Sequence, residues 1–209
     1  MPTHPEPTPD ASQGTPLPRF DAPSSRDQAV LAASQAVVAL LLQHGRSDFT
    51  IRELAEHAGV SERTFYRYFP RKEDAVRPYL TAGLDHVVAR VDALCGEGSL
   101  TDAVRQAHAE VLGLVHAQDA AVLLDVLTGT ERLRAVWIQV SVDAEAALGA
   151  VIAARWGVPA DSHAVALAAA TVVAAGRLAL QGAAGSGQEP LTVFEACLAR
   201  MGSVLTAPA

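Results

Sequence analysis

Apolar residues recur at spacings of three and four along nearly the whole chain, and no long stretch alternates polar with apolar residues. Spacings of three and four place side chains on one face of an α-helix, whereas a half-buried strand needs a period of two. The pattern predicts an all-α protein of about nine helices.

Start and stop signals place the first helix ahead of Gly45. Pro23, Ser24 and Ser25 offer an N-cap, and glycine is the commonest residue just beyond a helix C-terminus. Residues 1–22 are rich in Pro, Thr, Ser and Asp, a composition that predicts a disordered tail.

Two short helices follow in close succession. Thr50 and Glu53 have the spacing of a capping box, which predicts a helix from Ile51 to just before Gly59. Ser61 can cap the next helix, which begins two residues after the first has ended. Two short helices joined by a tight glycine-containing turn are typical of a helix-turn-helix.

The remaining helices are longer. A fourth helix is predicted from Arg71 to about Leu94, and roughly five more follow it. The predicted breaks between them are at 96–99, 117–120, 128–131, 156–162 and 185–190. Taken together, the chain is predicted to comprise a tail (1–22), a three-helix head (23–90) and a larger helical domain (91–209).

Composition and charge narrow the function. The net charge is −7, which alone disfavours a nucleic-acid binder. However, residues 1–90 hold 10 basic and 11 acidic side chains, against 6 and 12 in residues 91–209, so the acidity belongs to the second part. Cys95 and Cys197 are far apart and favour neither a disulfide framework nor a zinc site, as fits a cytoplasmic protein. The run Ala164–Ala175 is expected to be too short to span a bilayer, so no membrane contact is predicted.

The stretch "TIRELAEHAGVSERTFYRYFPRKEDAV" resembles the DNA-binding domain of the TetR family of transcriptional regulators. The resemblance covers about Ser25 to Arg90; in the rest of the chain it extends only to helix number and length. The residues that match the family pattern are Thr50, Leu54, Ala55, Ala58 to Ser61, Thr64, Tyr66, Tyr68, Phe69, Lys72 and Glu73.

The resemblance implies an omega-shaped homodimer that binds a double-stranded, palindromic DNA operator as a repressor. The two C-terminal helices would form the dimer, and a small-molecule effector in the larger domain would release the DNA. No cofactor and no enzymatic activity are predicted for the chain.

Four residues are candidates for contacts with base edges, because side chains near the start of a recognition helix enter the major groove. They are Arg52, Glu62, Arg63 and Arg67. An arginine can bind guanine O6 and N7 with both ends of its guanidinium group. For Glu62 a capping role is the alternative, and for Arg52 an exposed position facing solvent.

Six further residues stand where the resembled family contacts the DNA backbone: Thr50, Ser61, Thr64, Tyr66, Tyr68 and Lys72. For Tyr66 and Tyr68 packing between helices is the alternative, whereas Phe65 and Phe69 are assigned to the core. Arg71 replaces the small polar residue that commonly starts the fourth helix of the family, which puts that cap in doubt.

The effector pocket is harder to locate. Six residues interrupt otherwise apolar helices and are its candidates: His108, His116, Asp125, Arg134, Trp137 and Gln139. The alternative for each is a core or solvated position. Because the second part holds only three aromatic residues, a small aliphatic pocket is expected.

The sequence also bears on two other functions. His108 and His116 are two helical turns apart, but no third residue at metal-ligand spacing accompanies them. A nucleophile triad, phosphate loop or dinucleotide fingerprint is likewise missing from the sequence, which disfavours an enzyme. A DNA-binding regulator controlled by a protein partner or by oxidation of Cys95 or Cys197 stays open.

Overall fold

The computed structural model describes residues 18–21, 24–96 and 98–207. Residues 1–17 and 22 of the predicted tail lie outside the described residues. All regular structure in the described part is helical, which confirms the all-α class. Its helices are α1 (Ser25–His44), α2 (Ile51–His57), α3 (Glu62–Tyr68), α4 (Arg77–Leu94), α5 (Leu100–Leu112), α6 (Ala117–Thr128), α7 (Glu131–Trp156), α8 (His163–Ser186) and α9 (Pro190–Arg200). Two 3₁₀ segments, Lys72–Val76 and Gly202–Leu205, precede α4 and follow α9.

The capping signals of the first three helices are confirmed. The Ser24 side chain accepts a hydrogen bond from the N–H of Asp27, and Gly45 ends α1 with φ of 61°. Thr50 and Glu53 form the complete capping box of α2. The hydroxyl of Ser61 accepts from the N–H of Thr64 at the start of α3.

The turn between α2 and α3 requires a glycine. Gly59 has φ of 68°, in the left-handed region. Its N–H donates to the carbonyl of Glu56, and the N–H of Val60 donates to that of Ala55 at 3.0 Å. This pair of hydrogen bonds is the Schellman arrangement, in which the left-handed residue is almost always glycine. The turn thereby fixes the direction in which α3 leaves α2.

The fourth helix begins differently from the prediction. Arg71 forms no side-chain cap, and the chain first makes the 3₁₀ segment before α4 begins at Arg77. At the start of α4, the N-cap residue Val76 likewise provides no side-chain hydrogen bond. Instead the buried Ser34 of α1 supplies a hydroxyl that accepts from the N–H of Tyr79 at 3.0 Å and donates to the carbonyl of Ala75 at 2.6 Å.

One predicted break was wrong. Residues 117–120 form the first turn of α6, and the break lies at 113–116. The polar pair Gln118 and Asp119 suggested a loop, but an acidic residue in the first turn stabilises a helix N-terminus. The other predicted breaks overlap the gaps between helices to within one or two residues at each end.

The interior contains two clusters of buried apolar residues. The head core joins α1, α2, α3 and the start of α4 to the end of α6 and the first half of α7. The regulatory core joins the second half of α4 to α5, α8, α9 and the second half of α7. Helices α4 and α7 therefore belong to both cores, and a division of the chain at residue 90 remains a proposal.

By length and composition alone, α7 and α8 could each cross a membrane, and α5 with α6, bent by 86°, could form one further span. The sequence argument from the run Ala164–Ala175 is therefore wrong, because that run lies within the 24-residue α8. Both helices contribute to the cores described above. The absence of membrane contact remains a prediction.

Candidate DNA interface and effector cavity

Helix α3 presents one face to solvent and one to the head core. Phe65 is fully buried and Phe69, just beyond the helix, is 1% exposed, which confirms their assignment to the core. Their rings meet edge to face with centroids 4.9 Å apart. On the opposite face Arg63, Tyr66 and Arg67 are exposed, at spacings of three and four that place them on one stripe. The packing of the phenylalanines therefore determines which side chains α3 offers to a partner.

The four base-contact candidates are all exposed. Glu62 and Arg63 lie in the first turn of α3, where a helix inserted into the major groove approaches base edges. The guanidinium carbon of Arg67 lies 5.5 Å from the centroid of the Tyr68 ring. Arg52 lies in the first turn of α2. None of the four forms an ion pair with another described residue.

The backbone-contact candidates are partly occupied by contacts within the head. The hydroxyl of Thr50 donates to Glu53 at 2.7 Å, and that of Ser61 donates to Thr64 at 3.0 Å. The Lys72 ammonium donates to the carbonyl of Phe49 at 3.1 Å and so lies beside the cap of α2.

The two tyrosine candidates differ in their environment. Tyr66 is 53% exposed, so packing does not explain its presence on α3. Tyr68 is half-buried and meets Phe69 edge to face at 6.0 Å, so it has the packing role that was its alternative. A tyrosine in either position still presents a hydroxyl at its tip.

Arg46 was not among the sequence candidates. Its guanidinium carbon lies 3.9 Å from the centroid of the Phe49 ring, and it pairs with Asp48 at 2.5 Å. The Arg46 hydrogen bond lowers the pKa of the Asp48 carboxyl group. No motif identified Arg46, since it follows the glycine stop of α1 and belongs to no helix.

A cavity of about 1030 Å³ lies between the head and the regulatory core. Its walls come from α1, α4, α5, α6, α7 and α8, and the segment Pro18–Asp21 also lines it. This volume is at the upper end of the range for small-molecule sites, roughly 300–1,000 Å³. The prediction of a small pocket was therefore wrong, because the cavity is larger than expected.

Two of the six predicted pocket residues, His108 and Trp137, line this cavity. The other four lie outside it. Arg134 donates to the carbonyl of Thr128 at 2.8 Å, and Gln139 donates to Asp143 at 2.8 Å.

The remaining two of these four are exposed. His116 is the residue before α6 and lies 3.7 Å from Glu189, and Asp125 is on the outer face of α6. The criterion used on the sequence, a polar or aromatic residue within an apolar helix, does not show whether that residue faces the cavity or the solvent.

His108 is a neutral group in the cavity wall. Its Nδ1 lies 2.8 Å from the carbonyl of Val104, which makes Nδ1 the protonated nitrogen and leaves Nε2 as an acceptor. The ring stacks on Phe194 at 4.1 Å. Burial lowers the pKa of His108 to about 4. At neutral pH the side chain can therefore accept a hydrogen bond but carries no charge.

The cavity residues that the sequence analysis missed include Phe20, Tyr79 and Arg177. Phe20 contacts Tyr79 and His86 with ring centroids 5.6 and 5.7 Å apart. It comes from a segment that the composition assigned to the tail. Tyr79 lies in the part of the fourth helix that was assigned to the head. Only Arg177, a cation in an alanine-rich helix, carried a signal that could have identified it.

The part of the chain that the structure describes holds no cluster of three or more His, Cys, Asp or Glu residues suited to a metal ion.

A sequence model described as "Bacterial regulatory proteins, tetR family" matches residues 35–77, from the middle of α1 to the start of α4. A crystal structure of a TetR-family transcriptional regulator from Streptomyces coelicolor is similar over 86% of this chain and 79% of its own, with a TM-score of 0.53 at 18% identity. The first comparison identifies the helix-turn-helix, and the second shows a shared fold. Residues 35–77 form a TetR-family DNA-binding domain, and the chain has the fold of a TetR-family regulator.

Two further structures of regulators match with TM-scores below 0.5. The TetR-family regulator PfmR from Thermus thermophilus is 20% identical over 86% of this chain and 98% of its own, with a TM-score of 0.46. The fatty acid degradation regulator FadR from Bacillus halodurans is 14% identical over 89% and 97%, with a TM-score of 0.48. No curated protein matches the chain.

This domain makes the chain a DNA-binding regulator of transcription, and TetR-family transcriptional regulators are non-enzymatic DNA-binding proteins. The exposed stripe of α3 lies within residues 35–77, the part of the chain that the family model matches.

Proposed function

We propose that this TetR-family regulator is a cytoplasmic, homodimeric repressor that binds a palindromic operator through α3 and is released by a small molecule in the cavity. The mechanism would be steric occlusion of a promoter. The observation that carries the proposal is the position of the cavity, since α1 and α4 of the head form two of its walls.

Base recognition is assigned to Arg63 and Arg67. Both are exposed, and each could bind a guanine through its guanidinium group. Glu62 could accept from cytosine N4 or orient Arg63, and Arg52 could reach a base from α2. The hydroxyls of Thr50, Ser61, Thr64, Tyr66 and Tyr68 and the ammonium of Lys72 would hold the DNA backbone, which fixes register without reading sequence.

The homodimer is assigned to α8 and α9. Leu167 and Leu178 of α8 are 59% and 50% exposed, and Thr171 and Ala174 lie between them on the same face. Exposed leucines along one face of a long helix indicate a contact with another chain. We expect Leu167→Glu with Leu178→Glu to convert a dimer to a monomer in sedimentation velocity.

Coupling between ligand and DNA would pass through α1. Ala32 and Ala36 of this helix line the cavity, whereas Val37 and Leu41 are buried in the head core. A ligand shifts an equilibrium only if it binds one state better than the other. A molecule touching α1, α4 and the regulatory core at once would favour one position of the head over another. The two heads of a dimer must be about 34–36 Å apart, or a multiple of this, to enter successive major grooves.

Control by a protein partner or by thiol oxidation is the alternative. Cys95 is buried, and burial raises the pKa of its thiol, which disfavours the reactive thiolate. A cavity of this volume is not needed for either mechanism. The size of the cavity therefore favours a small-molecule effector.

The test is selection of bound sequences from random duplex DNA with the purified full-length protein, repeated with Arg63→Ala. Arg105→Ala is the matched control, because Arg105 is an exposed arginine on α5, away from the head. We expect a two-fold symmetric site that Arg63→Ala relaxes at one base position in each half-site and that Arg105→Ala leaves unchanged. Enrichment of an asymmetric site, or equal relaxation by both variants, would contradict the proposal.

A further inference from the structure

Arg177 lines the cavity, and no described residue supplies a partner for its charge. Its Nε atom is buried and has no hydrogen-bond acceptor among the described residues. No carboxylate among the described residues forms an ion pair with it. A partly buried cation without a partner is unfavourable, because burial removes water that the protein does not replace. The position therefore calls for an anion from outside the chain.

The wall around Arg177 is otherwise apolar or neutral. Val173 and Leu180 lie on the same face of α8 as Arg177, four residues before and three after it. The polar groups that α5 and α7 contribute are those of His108, Trp137 and Ser141, none of which carries a charge at neutral pH. The Ser141 hydroxyl already donates to the carbonyl of Trp137 at 3.0 Å. Among the described residues of α5, α7 and α8 that line the cavity, Arg177 is therefore the one that carries a charge.

The other charged residues of the cavity lie in different elements. Arg19 and Asp21 belong to the N-terminal segment, and Asp119 lies in the first turn of α6. Asp21 is exposed and Asp119 half-buried, so water screens both carboxylates more than it screens the Nε of Arg177. Neither carboxylate neutralises the guanidinium group by direct pairing.

We infer that the ligand of this cavity is an amphiphile with a hydrocarbon body and one carboxylate, and that Arg177 binds the carboxylate. This inference rests on the proposed function only in taking the cavity as the effector site. A guanidinium group presents two parallel N–H donors that match the two oxygens of a carboxylate. The aliphatic wall from α4, α5, α7 and α8 would accommodate the body.

The inference can be tested with three probes of equal chain length: decanoate, 1-decanol and decyltrimethylammonium. Binding is followed by the fluorescence of Trp137, which lines the cavity, in a Trp156→Phe background that removes the other tryptophan. Concentrations are kept below those at which the probes form micelles. We expect decanoate to bind about ten- to a hundredfold more tightly than either of the other probes, the range for hydrogen bonds to charged groups.

Two variants at Arg177 and one control variant test whether Arg177 causes the preference for decanoate. Arg177→Met keeps an unbranched apolar stem without the charge, and Arg177→Lys keeps the charge without the two-pronged donor. Arg105→Met removes an exposed arginine outside the cavity. We expect Arg177→Met to bind decanoate and decanol equally, Arg177→Lys to retain part of the preference, and Arg105→Met to behave as the parent protein. Thermal unfolding followed by circular dichroism establishes that each variant is folded.

Three outcomes would overturn the inference: no preference for decanoate in the parent protein, an undiminished preference in Arg177→Met, or no binding of any probe. Failure of the proposed function has a different signature. If decanoate binds through Arg177 but leaves operator affinity unchanged in a gel-shift titration, the anion site stands and control of DNA binding by this cavity does not.

Discussion

Ser34 of α1 holds the backbone N–H of Tyr79 at 3.0 Å, and thereby supplies from a distant helix the cap that α4 lacks. The first N–H groups of a helix have no acceptor within the first turn. The same hydroxyl donates to the carbonyl of Ala75 at 2.6 Å. Since α1 and α4 both line the cavity, this serine fixes the relative position of two of its walls.

We predict that Ser34→Ala lowers the free energy of unfolding by about 1–3 kcal/mol, because it leaves a buried N–H and a buried carbonyl without partners. Urea unfolding followed by circular dichroism measures the change. The matched control is Ser25→Ala, since Ser25 is exposed in the first turn of the same helix. Equal effects of the two substitutions would show that the Ser34 contacts contribute nothing beyond helix propensity.

The turn of the helix-turn-helix gives a second prediction. Gly59 has φ of 68° and open space where a Cβ atom would lie, so alanine there causes strain and no collision. An L-residue in this region costs about 1–2 kcal/mol, and we expect Gly59→Ala to lose that amount of stability and to weaken DNA binding through misplacement of α3. Urea unfolding and a gel-shift titration test the two effects separately.

Gly98→Ala is the control for this substitution. Gly98 also has open space around its Cβ position, but its φ is not positive. We expect its stability to stay within about 0.5 kcal/mol of the parent protein, as for surface substitutions in general. Equal losses at Gly59 and Gly98 would show that the left-handed turn is not the cause.

The head could be predicted from the sequence in some detail because its signals are local. A capping box, a glycine turn and two serine caps each involve residues within five positions, so the pattern fixed the start of α2 and of α3. The cap of α4 could not be found in this way, because Ser34 is 45 residues from Tyr79 in sequence.

The cavity was predictable only in part, because it is assembled from helices far apart in sequence. His108 and Trp137 were identified as polar or aromatic interruptions, and both face inward. Arg134 and Gln139 interrupt the same helix as Trp137 but are exposed. In a helix with apolar residues on several sides, spacing alone does not show which side faces a cavity.

His108 gives the last prediction, a dependence of stability on pH. Burial lowers the pKa of His108 to about 4 from an ordinary value of 6.5. Between these values the unfolded chain binds a proton that the folded chain does not, so stability is complete above about pH 6.5 and falls as the pH decreases towards 4. At about 1.36 kcal/mol per pKa unit, the loss reaches roughly 3 kcal/mol.

Carboxylates such as Glu53 and Glu110 also have lowered pKa values and also lose stability in acid, so the contribution of His108 must be measured as a difference. His108→Gln removes the titrating group, and His57→Gln does the same at an exposed position of α2. We expect the urea-unfolding free energy of His108→Gln to fall less between pH 7 and pH 4 than that of the parent protein, by an amount approaching roughly 3 kcal/mol. His57→Gln should retain the pH dependence of the parent. Parallel profiles for all three proteins would mean that the His108 ring becomes protonated in the folded state as readily as in the unfolded chain, and that water reaches the cavity wall at Nε2.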